Sequence, residues 1–162
     1  MANQFLVKET MVAMQGLSAT EITALQNGTY EGVQLLGYYQ KGDTPAPIIY
    51  HYVDPLDDPR PEDGGSVIVA SSIKLIHKFI GEVNVRYFGA NGLKTQNCFS
   101  YINNVFKYAL ANSVDIYHPS GYYNFFTSNI QRILLLYWTR LLRYQFLKMV
   151  LLSLIRRFRV RI

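Results

Sequence analysis

The chain of 162 residues holds a single cysteine, Cys98, so neither a disulfide framework nor a cysteine-rich zinc module can be built within it. Histidine is almost as scarce, and His51, His77 and His118 stand too far apart in sequence for a local metal motif. Charged residues are few at 17%, against 49% apolar and 14% aromatic residues, a balance that excludes a disordered or collagen-like chain. The N-terminus, MANQFLVKET, has Lys8 and Glu9 where a secretion signal needs an apolar run. No signal peptide is expected, and composition assigns no compartment.

Other absences are confined to one end. From Gln131 onward there is no Gly, Pro, Asp, Asn or Glu, whereas residues 1–130 hold all 11 glycines and all 6 prolines. Residues 1–130 carry 8 Lys+Arg and 11 Asp+Glu, a net −3. Residues 131–162 carry Arg132, Arg140, Arg143, Lys148, Arg156, Arg157, Arg159 and Arg161 with no acid, a net +8 that brings the chain to +5. A β-rich continuation would need a turn roughly every 8–12 residues. The loss of every turn former at one point is read as an out-of-frame or foreign segment. The alternative reading is a basic apolar helix that lies on an anionic membrane surface or self-associates. A membrane span is disfavoured, since Arg140, Arg143 and Lys148 would each cost about 2.5–3.5 kcal/mol at the bilayer centre. No motif supports nucleic-acid binding.

Within residues 1–130 the turn chemistry is rich. Ser18-Ala19-Thr20-Glu21 has capping-box spacing, with Ile22 and Leu25 facing inward and Asn27-Gly28 as the stop; a short helix or turn is expected over 10–15. Four β signals follow, at 33–40 (VQLLGYYQ), 48–53 (IIYHYV), 66–70 (SVIVA) and 73–79 (IKLIHKF), separated by turn formers and read as a small antiparallel module. A strand is expected over 83–88 (VNVRYF). Next comes an amphipathic helix over 99–110, with Ile102, Val105, Phe106, Ala109 and Leu110 on its inner face and Asn103, Asn104 and Lys107 on the other. A short strand over 114–117 leads to the turn His118-Pro119-Ser120-Gly121 and the aromatic run 122–126.

The order VNVRYFGANG, a helix of about a dozen residues, then VDIYHPSGYYNF resembles the opening of the pectate-lyase-like right-handed parallel β-helix family. The matching residues are Val83, Val85, Phe88, Gly89, Ala90 and Gly92, then Pro119, Gly121 and Tyr122. Upstream, Gly37-Tyr38-Tyr39 with Gly42-Asp43, and Asp63-Gly64-Gly65-Ser66-Val67-Ile68, are similar to the module that precedes the β-helix in phage tailspike-like and bacterial polysaccharide-active proteins. The two resemblances span about 30–126. The family's Gly-Asp-Gly with paired aspartates is replaced by Gly92-Leu93-Lys94-Thr95-Gln96-Asn97, leaving Thr95 or Asn97 to cap the helix.

The resemblance implies an α+β chain in three parts: a β-rich attachment module (1–80), the capping helix and first rung of a β-helix (81–126), and the anomalous basic apolar tail (127–162). It also implies a parent on a virion or cell surface, otherwise cytoplasmic, that acts on polysaccharide and oligomerises through its β-helix. Family members carry their catalytic groups on middle rungs, beyond the first strand. The expectation is therefore a non-catalytic, truncated fragment with no catalytic, cofactor-binding or metal-binding residues.

The remaining candidates read as structural. Asp54, Asp57, Asp58, Glu62 and Asp63 do not have EF-hand spacing, and Pro55, Pro59 and Pro61 stiffen the segment, so a solvated acidic loop is expected. Asp57 and Asp58 are adjacent, which does not suit the ~5–9 Å separation of a glycosidase pair. His118 has no nucleophile and acid in a recognisable order beside it. Cys98 is expected to be buried. Tyr38, Tyr39, Tyr50, Tyr52, Tyr122 and Tyr123 have the chemistry to stack on sugars, but cross-strand packing is the commoner use.

Overall fold

The computed structural model describes residues 4–124. The first element, β1 (Phe5–Lys8), is absent from the sequence reading. Thr10 then caps α1 (Met11–Gln15), its Oγ1 accepting from Ala13 N at 3.2 Å, and Met11 and Met14 turn into the core. The capping box forms at the head of α2 (Ala19–Gln26): Ser18 N donates to Glu21 Oε2 at 2.9 Å, and Glu21 N to Ser18 Oγ at 3.4 Å. Lys8 Nζ donates to Glu21 Oε1 at 2.7 Å, so the helix start is tied to β1. The Lys8 ammonium, followed by the Ser18 amide, holds the Glu21 carboxyl down at about 2.

Four further strands, β2 (Gly32–Leu35), β3 (Ile48–Val53), β4 (Val67–Ala70) and β5 (Ile73–Ile76), complete a five-stranded sheet of order β1-β2-β3-β5-β4. Three of its pairings are antiparallel, but β1 lies parallel to β2, with Leu6 opposite Val33, so the sheet is mixed where an antiparallel one was expected. The first half of β3 pairs with β2 and its second half with β5. β2 ends well short of residue 40. The Asp43 carboxylate takes the amides of Tyr38 (2.6 Å), Tyr39 (2.7 Å) and Gln40 (3.1 Å), and backbone groups spent on a turn cannot also join a ladder.

The expected strand over 83–88 divides. β6 (Glu82–Asn84) ends where the Asn84 side chain accepts from Arg86 N at 3.0 Å, and Val85–Phe88 wind into a 3-10 turn. That geometry puts both Val85 and Phe88 into the core, which strand alternation would not do. α3 (Phe99–Asn112) follows, and then β7 (Asp115–Tyr117), which pairs parallel with β6. The exposed Glu82 stands in register with the exposed Asp115. Like charges directly opposite repel, so Asp115→Asn is expected to raise stability by about 0.2–1 kcal/mol, read as an upward shift of the thermal midpoint.

The inner face of α3 is rotated from the one expected. Ile102, Val105, Tyr108 and Ala109 are buried, whereas Phe106 is 36% exposed and Leu110 51% exposed. Two polar anchors fix this rotation. Tyr108 Oη accepts from Phe79 N at 2.9 Å, and Asn104 Nδ2, expected on the outer side, donates to Asp63 O at 2.8 Å.

The architecture is α+β, a mixed five-stranded sheet and a two-stranded parallel pair with three helices. One hydrophobic cluster runs from Met11 through the sheet to Ala109, and an aromatic seam crosses residue 80 within it. In that seam Phe79 stacks on Tyr87 at 5.3 Å and meets Tyr108 edge-on at 5.5 Å. The described residues thus form one compact unit. The anomalous segment 127–162, with its out-of-frame, membrane-surface and self-association readings, lies outside the described residues. Among the described residues no helix is long and apolar enough to cross a membrane.

Candidate functional site

The two halves of the family-like motif, far apart in sequence, meet in space. Val83, Val85, Phe88 and Ala90 are buried beside the sheet. Gly89 has φ +92° and lies under the Tyr38 ring, so closely that an added Cβ would stand 2.7 Å from it. Beyond it, Gly92 O accepts from Tyr122 N at 2.8 Å. A Cβ on Gly121 would stand 3.0 Å from the Gly92 backbone, so the two segments pass each other closely here. Pro119 O accepts from Tyr123 Oη at 3.0 Å, while the exposed Tyr122 ring has Lys94 Nζ 4.4 Å from its centroid.

The contacts continue along both segments. Val83 is in parallel register with Ile116, Cys98 N donates to Asn124 O at 2.8 Å, and Asn97 forms a parallel bridge with Asn124. The segment from Glu82 to Cys98 and the segment from Asp115 to Asn124 therefore run in the same direction, one stacked on the other, with α3 as the crossover. Of the two cap candidates, Asn97 accepts from Phe99 N at 3.1 Å, one residue ahead of the cap position that Cys98 occupies.

Gln96, Asp43 and Asp63 organise this region and were not singled out as anchors from sequence. Gln96 Nε2 donates to Gly89 O and to Tyr39 Oη, both at 2.8 Å, while its Oε1 accepts from Asn91 N at 2.8 Å. Tyr39 Oη in turn donates to Gly89 O at 2.7 Å. The Gly89 carbonyl is thus the point at which the Tyr38-Tyr39 turn grips the motif. Asp63 organises its own turn: its Oδ1 accepts from the amides of Gly65, Ser66 and Val67 at 2.9, 2.7 and 2.9 Å, and its Oδ2 takes the Ser66 hydroxyl. The available signal was glycine beside aspartate at each turn.

The candidate side chains are each held in local contacts. Arg60 grips Asp58 through Nε at 3.0 Å to both oxygens and Nη2 at 2.6 Å, holding its carboxyl at about 2, far from the range of a general acid. The acidic segment is therefore not simply solvated, since Asp58 and Asp63 are both tied into it. His118 is exposed, its ring edge-on to Tyr123 at 5.5 Å, with its pKa lowered by desolvation. Cys98 is fully buried, its thiol pushed up by burial and directed to Gln96 Oε1 at 3.2 Å. Burial raises the phenol of Tyr38 to about 12 and lifts that of Tyr50 well above its ordinary value, and Tyr50 Oη is spent on Gly65 O at 2.7 Å. Among the described residues no cluster of three or more His, Cys, Asp or Glu could hold a metal ion. One polar atom is left over: Arg86 Nε is buried with no hydrogen-bond partner among the described residues.

No protein-family model matches the chain, and no curated protein matches it. The functional reading therefore rests on geometry and on the sequence resemblance.

Proposed function

We propose that residues 4–124 form a non-catalytic attachment and capping element of a pectate-lyase-like right-handed parallel β-helix protein of the tailspike or polysaccharide-active type. The observation that carries the reading is the same-direction stacking of 82–98 and 115–124 at three separate places, Val83 with Ile116, Gly92 with Tyr122 and Asn97 with Asn124. Two strands of a simple parallel pair need to meet only once. Two coils of a β-helix meet at every corner, which brings backbone positions such as Asn97 and Asn124 into register.

In this reading α3 is the cap. A stack of coils has an open end whose apolar interior and unpaired edges must be covered, and Ile102, Val105 and Ala109 give α3 the face that does it. The sheet module is the attachment part. It meets the first coil through Tyr39, whose Oη donates to Gly89 O and accepts from Gln96 Nε2, and it meets α3 where Asn104 Nδ2 donates to Asp63 O. Polysaccharide contact and homo-oligomerisation belong to the rungs of the parent protein, whose place is a virion or cell surface.

The purified chain is expected to release neither reducing ends nor unsaturated product from pectin, polygalacturonate or capsular polysaccharide. Product above the buffer background would overturn the non-catalytic reading and direct attention to the carboxylates between Asp43 and Asp63.

A further inference from the structure

The chain contains two Asn-Gly pairs, Asn27-Gly28 and Asn91-Gly92. Any such pair is prone to a spontaneous reaction in which the glycine nitrogen attacks the asparagine Cγ. Glycine is the permissive neighbour because it has no side chain to obstruct the approach. The fold treats the two pairs very differently.

Asn27 closes α2 and is exposed, as are Gly28 and Thr29. Its Oδ1 accepts from Thr29 N at 3.0 Å and Thr29 Oγ1 at 2.7 Å, and two donors on one carbonyl oxygen draw electron density from Cγ and favour attack there. Gly28 has φ +76°, and apart from its chain neighbours no atom lies within 4 Å of where a Cβ would stand, so this glycine faces open space. The attacking nitrogen is held by a long hydrogen bond in the last turn of the helix, Gly28 N to Leu25 O at 3.3 Å, with Tyr30 N to Ala24 O at 3.0 Å closing the end beyond it. Helix ends fray, and opening this bond is a local event.

Asn91 and Gly92 lie within the stacked coils. Asn91 is part-buried, with its amide on Gln96 Oε1 at 2.8 Å and its Oδ1 accepting from Leu93 N at 2.9 Å. Gly92 is buried against Gly121 and tied through its carbonyl to Tyr122 N at 2.8 Å. Rotating the Asn91–Gly92 backbone into the reactive geometry would separate the two coils.

We infer that Asn27 is a self-modification site of the folded protein and that Asn91, with the same two-residue sequence, is protected by coil stacking. In the reaction the Gly28 N–Asn27 Cγ bond forms, the Cγ–Nδ2 bond breaks, and Nδ2 leaves as ammonia with the proton from Gly28 N. Water then adds to either carbonyl of the succinimide, giving aspartate or isoaspartate at position 27. Either product puts a negative charge at the C-terminal end of α2, where the helix dipole disfavours it.

The test is peptide mapping of the full chain after incubation at mildly alkaline pH, native and in urea, with isoaspartate and the amide-to-acid mass change quantified at both positions. In the native chain Asn27 is expected to convert at least about tenfold faster than Asn91, because reaction at Asn91 requires an opening costlier by 1.4 kcal/mol or more, the equivalent of a factor of ten. In urea the two rates should converge. Equal native rates, faster native conversion at Asn91, or a ratio that urea leaves unchanged would overturn the inference.

Discussion

Gly89→Ala is expected to destabilise the chain by about 2–5 kcal/mol, read as a lower urea midpoint at unchanged slope. A left-handed backbone costs an L-residue about 1–2 kcal/mol, and Gly89 has φ +92°. Forcing a methyl group against the largely buried Tyr38 ring adds about 1–3 kcal/mol of overpacking, since its Cβ would lie 2.7 Å from that ring. Gly42→Ala separates the two contributions. Gly42 has φ +84° but nothing within 4 Å of its Cβ position, so only the backbone cost of about 1–2 kcal/mol remains. Equal losses in the two variants would mean that Tyr38 does not press on Gly89, and the grip of the Tyr38-Tyr39 turn on the 82–98 segment would have to be abandoned.

Val105→Asp is expected to abolish cooperative folding, while Leu110→Asp on the same helix leaves it intact. Val105 is 0% exposed in the core shared with Ile102 and Ala109. An unpaired carboxylate there costs more than about 4 kcal/mol, most of the stability of an ordinary domain. Leu110 is 51% exposed, so its replacement leaves the charge in water. Far-ultraviolet circular dichroism and thermal melts of both variants distinguish the cases. A cooperative melt for Val105→Asp, or matching losses for both, would contradict the rotation of α3 described above. Phe106→Asp, which the expected inner face would have made severe, falls with Leu110 by its 36% exposure.

Local chemistry was legible in the sequence, and pairing between distant segments was not. Ser18 and Glu21 carry the whole capping-box signal within four consecutive positions, and the IIYHYV run marks β3 to the residue. β1 was invisible because its only partner among the described residues is β2, many residues away and parallel, so no hairpin turn announces it. The strand expected over 83–88 failed at Asn84, whose side chain competes with the ladder for Arg86 N. On α3, apolar spacing alone favoured Phe106 and Leu110. The tyrosine at 108 displaced them because its hydroxyl has a buried partner at Phe79 N, which a hydropathy pattern cannot contain.

The candidate site divides along the same line. The motif glycines and Phe88 could be placed from sequence, since Gly89 and Gly92 both adopt positive φ and Phe88 is buried. The role of Gln96 could not. It acts by joining Tyr39, Gly89, Asn91 and Cys98, four positions that only the fold assembles.

The central claim is that 115–124 stacks on 82–98 in the same direction and at several corners. Through-hydrogen-bond scalar couplings in the isotopically labelled full chain test it most directly. The account predicts one coupling from Tyr122 N to the Gly92 carbonyl carbon and a second from Cys98 N to the Asn124 carbonyl carbon, backbone bonds that join the two segments beyond β6 and β7. Backbone contacts between Val83 and Ile116 should show the parallel pattern. Antiparallel contacts there, or the absence of both couplings in a chain that is otherwise folded, would contradict it.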